Sequence, residues 1–207
     1  MTHPLSESLA WVADGTELFT AAAAALDEDE MGAPSPLPGW SRKHVVAHVA
    51  LNAEAIGRLA HWARTGEPTP MYASPEARTA DIEAGARRSA DDLRAWLVDS
   101  AAALDAALAG LTDEQWAAEV EARNGKRVRG TALPWMRARE VLIHSVDLGT
   151  GIGFADLPAD FLGALVAEVA HQRDLPRLPE GPLPQLAAYL TGRPHALVDA
   201  PELGAWL

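Results

Sequence analysis

Arg139-Glu140-Val141-Leu142-Ile143-His144-Ser145-Val146-Asp147 sets two metal-capable side chains, Glu140 and His144, four residues apart in a largely apolar segment. Residues so spaced share one face of a helix. Arg42-Lys43-His44-Val45-Val46-Ala47-His48 repeats the spacing with His44 and His48. A helical pair together with one residue from a facing helix delivers three ligands to one point, an arrangement that helical bundles use for metal sites. His48 or His44 with Glu140 and His144 meets that requirement. The other reading is a helical charge pair between Glu140 and His144, with the histidines satisfied in the core or at the surface.

The rest of the chain agrees with packed helices. Residues 5–26 carry Leu9, Trp11, Val12, Leu18, Phe19 and Ala22 near helical spacing, although Gly15 weakens the pattern. Ser41 is placed to cap a helix running to about Arg64, with Trp40 as a hydrophobic staple and Val45, Val49, Ile56 and Leu59 as its apolar stripe. Residues 74–88 read as a short polar segment. Residues 90–108 form a strong helix through Leu93, Leu97, Leu104 and Leu108. Thr112 caps a brief helical turn, and Asn124-Gly125 signals a two-residue hairpin between residues 119 and 130. Helices at about 134–149, 159–173 and 183–191 complete the pattern. Four or five substantial helices and one hairpin predict an all-α bundle with no α/β sheet.

Composition narrows the chemistry. The 207 residues suffice for one good core, or one domain with a small appendage. A net charge of −12 argues against nucleic acid or an anionic membrane as partner. No apolar run approaches the length of a membrane span, and the N-terminus lacks a signal-peptide pattern, so a cytoplasmic protein is expected. The chain contains no cysteine, which removes thiolate ligands and a Cys nucleophile. A metal here would be held by imidazole and carboxylate, as zinc accepts readily. His48 lies one turn deeper than His44 and is the better ligand on burial grounds. Asp147, one turn beyond His144, is placed to orient an imidazole, or else is a polar residue near the helix end.

Longer stretches carry a family likeness. These are Gly39-Trp40-Ser41-Arg42, His48-Val49-Ala50-Leu51-Asn52-Ala53, Pro70-Met71-Tyr72 and Ser74-Pro75-Glu76-Ala77-Arg78. Further along come Trp135-Met136-Arg137, Arg139-Glu140-Val141, Ile143-His144 and Val146-Asp147-Leu148-Gly149. The sequence resembles the mycothiol-dependent maleylpyruvate isomerases, within the wider DinB-like metalloprotein superfamily. The resemblance implies a DinB-like four-helix bundle over residues 1–155, followed by a C-terminal segment over 156–207. Relatives usually carry a small α/β domain there. The stretch between Arg173 and Leu183 is too short to supply its strands, so a shortened, helical appendage is expected. The resemblance also implies Zn2+ held by His48, Glu140 and His144. Arg193, in a segment like the family's ending, becomes a candidate anchor for a substrate carboxylate, or else a cation favourably placed near a helix C-terminus.

The activity so implied is cis–trans isomerisation of maleylpyruvate to fumarylpyruvate. Rotation requires removal of the π bond, which reversible addition of a thiolate achieves. With no cysteine in the chain, the thiol arrives as a cosubstrate, mycothiol. A free thiol of pKa near 8.5 is only about 3% ionised at pH 7, so deprotonation by zinc gives about a thirtyfold gain in thiolate. A dicarboxylate substrate in an acidic protein needs a local arginine fork, for which Arg78 and Arg193 are the candidates. A mycothiol S-transferase with the same ligands, or a zinc-binding module without turnover, are the competing expectations.

Overall fold

The computed structural model describes residues 3–204 and Trp206. The chain divides into two compact units, one through Thr150 and one from Gly151 onward. The first contains α1 (Leu5–Ala24), α2 (Glu28–Gly32), α3 (Arg42–Thr65), α4 (Pro75–Gly85), α5 (Ala90–Ala109), α6 (Asp113–Ala117), β1 (Glu119–Glu121), β2 (Arg127–Arg129) and α7 (Leu133–Asp147). The four long helices form a bundle in which α1 lies against α7 and α5, and α3 lies against α5 and α7.

α3 is the inner member. Val45, Val49, Ile56 and Leu59 are fully buried as their stripe predicts, and so are Val46, Ala50 and Ala53 beside it. The buried arc is wider than the stripe because α2, α4, α6 and β1 also contact this helix. A helix covered on several sides must satisfy every polar side chain it carries, and His48 and Asn52 are both buried on it.

Two short helices lie where the sequence pattern is weakest. Residues 74–88, expected as a polar segment, contain α4. The Ser74 hydroxyl accepts from the Ala77 amide at 3.1 Å, and Pro75 stands in the first turn. Ile82 and Gly85 are its buried residues, so it has almost no apolar stripe to read. α2 is stabilised locally by a capping box between Asp27 and Glu30.

The hairpin differs from expectation in its turn. Val120 pairs with Val128, and Glu121 with Arg127. Residues 122–126, including a 3-10 turn at Arg123–Gly125, therefore connect the strands in place of a two-residue turn. Ala122 closes this loop by donating to the Lys126 carbonyl at 2.8 Å.

Gly15, which weakens α1 as a sequence pattern, is buried where α7 comes closest. A Cβ there would stand 2.5 Å from Val141 Cγ2 and 2.8 Å from Leu142 Cγ. Gly85 does the same for α4, where a Cβ would meet Ala47 Cβ at 2.7 Å. Both approaches flank residues next in sequence to Glu140 and His48. Helix propensity favours alanine over glycine by about 1 kcal/mol, which would offset part of the clash at position 15. The larger Gly15→Val is therefore the sharper test. It is expected to cost about 3 kcal/mol by overpacking, read as a lower urea midpoint at unchanged m-value.

The second unit holds a 3-10 turn (Phe154–Asp156), α8 (Ala159–Gln172) and α9 (Leu183–Leu190). α9 packs on α8 and on the turn, burying Phe161, Leu162, Leu165, Ala187 and Leu190. Among the described residues this unit has no strand. No described helix is long and apolar enough to cross a membrane.

Candidate metal centre

α3 and α7 bring His48, Glu140 and His144 together. One ligand atom from each lies within 4.8 Å of the others. Both imidazoles address the same carboxylate oxygen: His48 Nε2 stands 2.9 Å and His144 Nε2 3.3 Å from Glu140 Oε2. The rings meet edge to face at 4.8 Å. In a tetrahedral site with bonds of 2.0–2.1 Å, ligand atoms are about 3.4 Å apart, so the two contacts to Glu140 are already close to the spacing zinc requires. The donor set of two imidazoles and one carboxylate suits that ion.

Exposure is graded across the cluster. The side chains are 6% exposed at His48, 14% at His144 and 24% at Glu140. The protein thus covers the α3 side and leaves the α7 side accessible, where a fourth ligand could enter. Behind His144, Asp147 Oδ2 accepts from Nδ1 at 2.8 Å. That contact turns Nε2 toward Glu140 and fixes which nitrogen is free to bind a cation.

The electrostatics follow from burial and these contacts. Burial holds the His48 imidazole down to about 4, despite the Glu140 carboxylate beside it, so it is neutral at pH 7. Burial alone would raise Glu140, but hydrogen bonds and charge from His144 and His48 outweigh it and hold the carboxyl well below its usual range. Burial would likewise depress His144. The acceptors Asp147 and Glu140 reverse this and raise it above 6.5.

His44 is not part of the cluster. Its Nδ1 lies 2.7 Å from the Ser41 hydroxyl and accepts from the Ser41 amide at 3.2 Å, completing the N-terminal cap of α3. Its Nε2 faces Glu83. Trp40 stacks on His44 and meets His48 edge to face at 5.6 Å, walling the site.

Arg78, on α4, is at the site: its Nη2 lies 3.2 Å from His48 Nδ1, and its guanidinium lies over the Tyr72 ring. Because guanidinium can only donate, Nδ1 is the acceptor in this arrangement and His48 Nε2 donates to Glu140. Tyr72 is held by the loop that Arg58 ties down through the Met71 carbonyl at 2.8 Å. Arg193 belongs to the second unit, where its Nη1 donates to the Thr191 carbonyl at 2.5 Å.

Two polar residues behind the cluster were not singled out from the sequence. Arg137, one turn before Glu140, and Asn52, one turn after His48, are 1% and 4% exposed. A polar residue repeated at helical spacing inside each buried stripe was the available signal. A surface groove of about 450 Å³ along α3 and α5, at Glu54, Arg58, His61 and Ser100, shares no lining residue with the cluster.

The family described as the mycothiol maleylpyruvate isomerase N-terminal domain matches residues 12–149. A crystal structure of the mycothiol-dependent maleylpyruvate isomerase aligns with a TM-score of 0.92 at 35% identity, covering 99% of this chain and 98% of that chain. A mutant of that enzyme with one histidine replaced by alanine aligns at 0.90 with the same identity and coverage. YfiT from Bacillus subtilis, described as a probable metal-dependent hydrolase with an unusual four-helix bundle topology, aligns at 0.56 with 18% identity. That match covers 70% of this chain and 85% of that chain, and is a likeness of fold. No curated protein sequence matches. The chain belongs to the mycothiol maleylpyruvate isomerase N-terminal domain family.

Proposed function

We propose that this chain is a mycothiol-dependent maleylpyruvate isomerase whose metal ligands are His48, Glu140 and His144. The observation that carries the reading is the convergence of those donors in a chain matched along its whole length by an enzyme of that name. Zinc held there supplies a Lewis acid that keeps a thiol in its thiolate form at neutral pH.

The side chains prepare that chemistry. His48 is already neutral and Glu140 already anionic at pH 7, so neither must change protonation to act as a ligand. Asp147 keeps the proton of His144 on Nδ1 and the ring turned inward. When His48 Nε2 is engaged as a ligand, the ring proton resides on Nδ1, and Arg78 loses its acceptor there. Its planar fork is then available to pair with a substrate carboxylate.

The thiolate sulfur of mycothiol adds to the cis double bond. A C–S bond forms, and the π electrons move into the conjugated carbonyl as an enolate. The former double bond is now single and rotates. Collapse of the enolate re-forms the alkene in the trans geometry and expels the thiolate, so atoms and electrons balance and no oxidant is needed. Arg78 holds one carboxylate while the carbon chain turns.

Purified protein supplied with zinc, mycothiol and maleylpyruvate should convert the substrate spectrum to that of fumarylpyruvate faster than the thiol alone. A rate equal to the thiol-only background would reject the reading, and a stable thioether product would favour an S-transferase. Arg78→Ala is expected to lower kcat/KM by about ten- to a hundredfold, the loss typical of a charged hydrogen-bond partner. Arg78→Lys should recover only part of it. An unchanged KM and kcat in Arg78→Ala would remove Arg78 from the site.

A further inference from the structure

We propose that Arg137 and Asn52 form a buried brace between α7 and α3 that sets the distance between Glu140 and His48, making Arg137 a positioning residue for metal binding. The inference rests on reading His48, Glu140 and His144 as the ligands.

Arg137 Nη1 donates to the Val49 carbonyl at 2.7 Å and to Asn52 Oδ1 at 2.9 Å. Val49 follows His48 directly, and Asn52 stands one turn further along α3. Arg137 itself stands one turn before Glu140 on α7. A single guanidinium nitrogen therefore ties the His48 turn of one helix to the Glu140 turn of the other. Apolar packing between two helices tolerates small slides and rotations, because dispersion contacts are non-directional. A forked, charged hydrogen bond to a carbonyl and an amide does not. A slip of α7 along α3 that opened the 2.9 Å approach of Glu140 to His48 would also have to break this pair.

Stability alone gives no reason for the arrangement. Among the described residues, no group accepts a hydrogen bond from the buried Arg137 Nη2. Burial pushes the guanidinium down to about 10, leaving it charged at neutral pH. A buried cation with an unsatisfied donor costs free energy, and an apolar side chain of similar volume is often no less stable. Met at this position would fill much of the space and abolish the directional tie, so stability and metal affinity should separate.

The test is zinc affinity of the full chain, measured by competition with a chromophoric chelator, alongside thermal unfolding by circular dichroism. Wild type should bind one zinc per chain. Arg137→Met should bind it ten- to a hundredfold more weakly, the loss typical when a residue supporting a ligand is removed, with little fall in Tm. Arg137→Lys should recover part of the affinity, since an ammonium reaches one acceptor without forking. Asn52→Ala should weaken binding about fivefold. Adding Asn52→Ala to Arg137→Met should cost nothing more, because the two act through one contact. Affinity within twofold of wild type in folded Arg137→Met and Asn52→Ala would overturn the brace while leaving the ligand reading standing. If Arg137→Met does not fold, Asn52→Ala decides alone by the same criterion. Failure of wild type to bind zinc would sink the ligand reading, and the brace with it.

Discussion

Glu140→Ala is expected to abolish stoichiometric zinc binding and lower kcat/KM by more than about a thousandfold, while the four-helix bundle still forms. Glu140 is the anion that the imidazoles of His48 and His144 both address, at 2.9 and 3.3 Å. Removing it leaves two neutral donors for a divalent ion, below the three protein ligands usual in catalytic zinc sites. The Lewis-acid contribution to such reactions is several kcal/mol, and each 1.36 kcal/mol is tenfold in rate. Glu140→Gln separates charge from shape. It keeps a carbonyl acceptor for the rings but not the negative charge, so it should fold like wild type and still lose most of the metal. His48→Ala should behave like Glu140→Ala, and its small cavity should be lined by Trp40 and the α3–α7 contact. Metal content per chain, measured after dialysis against a weak chelator, checks all three. Retention of one zinc per chain by Glu140→Ala and His48→Ala would end the ligand assignment.

The contrast between His48 and His44 shows what was legible before the structure. Both lie on α3 with identical spacing, and residue type alone could not choose between them. Depth decided it: His44 is in the first turn, where an orphan amide of the helix end competes for its ring, and it became a cap. Glu140, His144 and Asp147 were readable because helical periodicity converts spacing directly into a shared face. The long helices were readable for the same reason. α4 was not, because a helix resting on the bundle through Ile82 and Gly85 has no apolar stripe. Its position mattered, since it delivers Arg78 to His48. The hairpin turn was misjudged because Asn124-Gly125 fits a two-residue turn locally, while the pairing of Val120 with Val128 selects a longer loop. Gly15 counted against α1 by propensity, yet its missing Cβ is what admits α7. Tertiary contact overrode the local signal in each of these cases.

Zinc affinity should rise about tenfold per pH unit from roughly pH 5 up to the His144 pKa and flatten above it. Each ligand must be deprotonated to bind, so the slope counts the protons displaced. Glu140 is held well below 4.5 and contributes none in this range. His48 titrates at about 4 and contributes one only near or below that pH, where the slope should steepen toward a hundredfold per unit. His144, raised above 6.5 by Asp147 and Glu140 against its burial, is the group that must release a proton near neutrality. In metal-free protein the two histidines oppose each other. His144, with its folded pKa above the unfolded value, adds stability that is present below about 6.5 and is lost as pH rises through its folded pKa. His48, with its folded pKa below the unfolded value, removes stability as pH falls from 6.5 toward 4. Asp147→Asn isolates the His144 contribution. Without the carboxylate its imidazole should titrate lower, so the affinity plateau should extend to more acidic pH, while the plateau itself drops about ten- to a hundredfold because the ring is less well held. Calorimetric titrations at pH 6 in two buffers of different ionisation enthalpy would count the displaced proton directly. A value near one for wild type and clearly lower for Asp147→Asn is expected, and zero for wild type would mean that His144 is not a ligand.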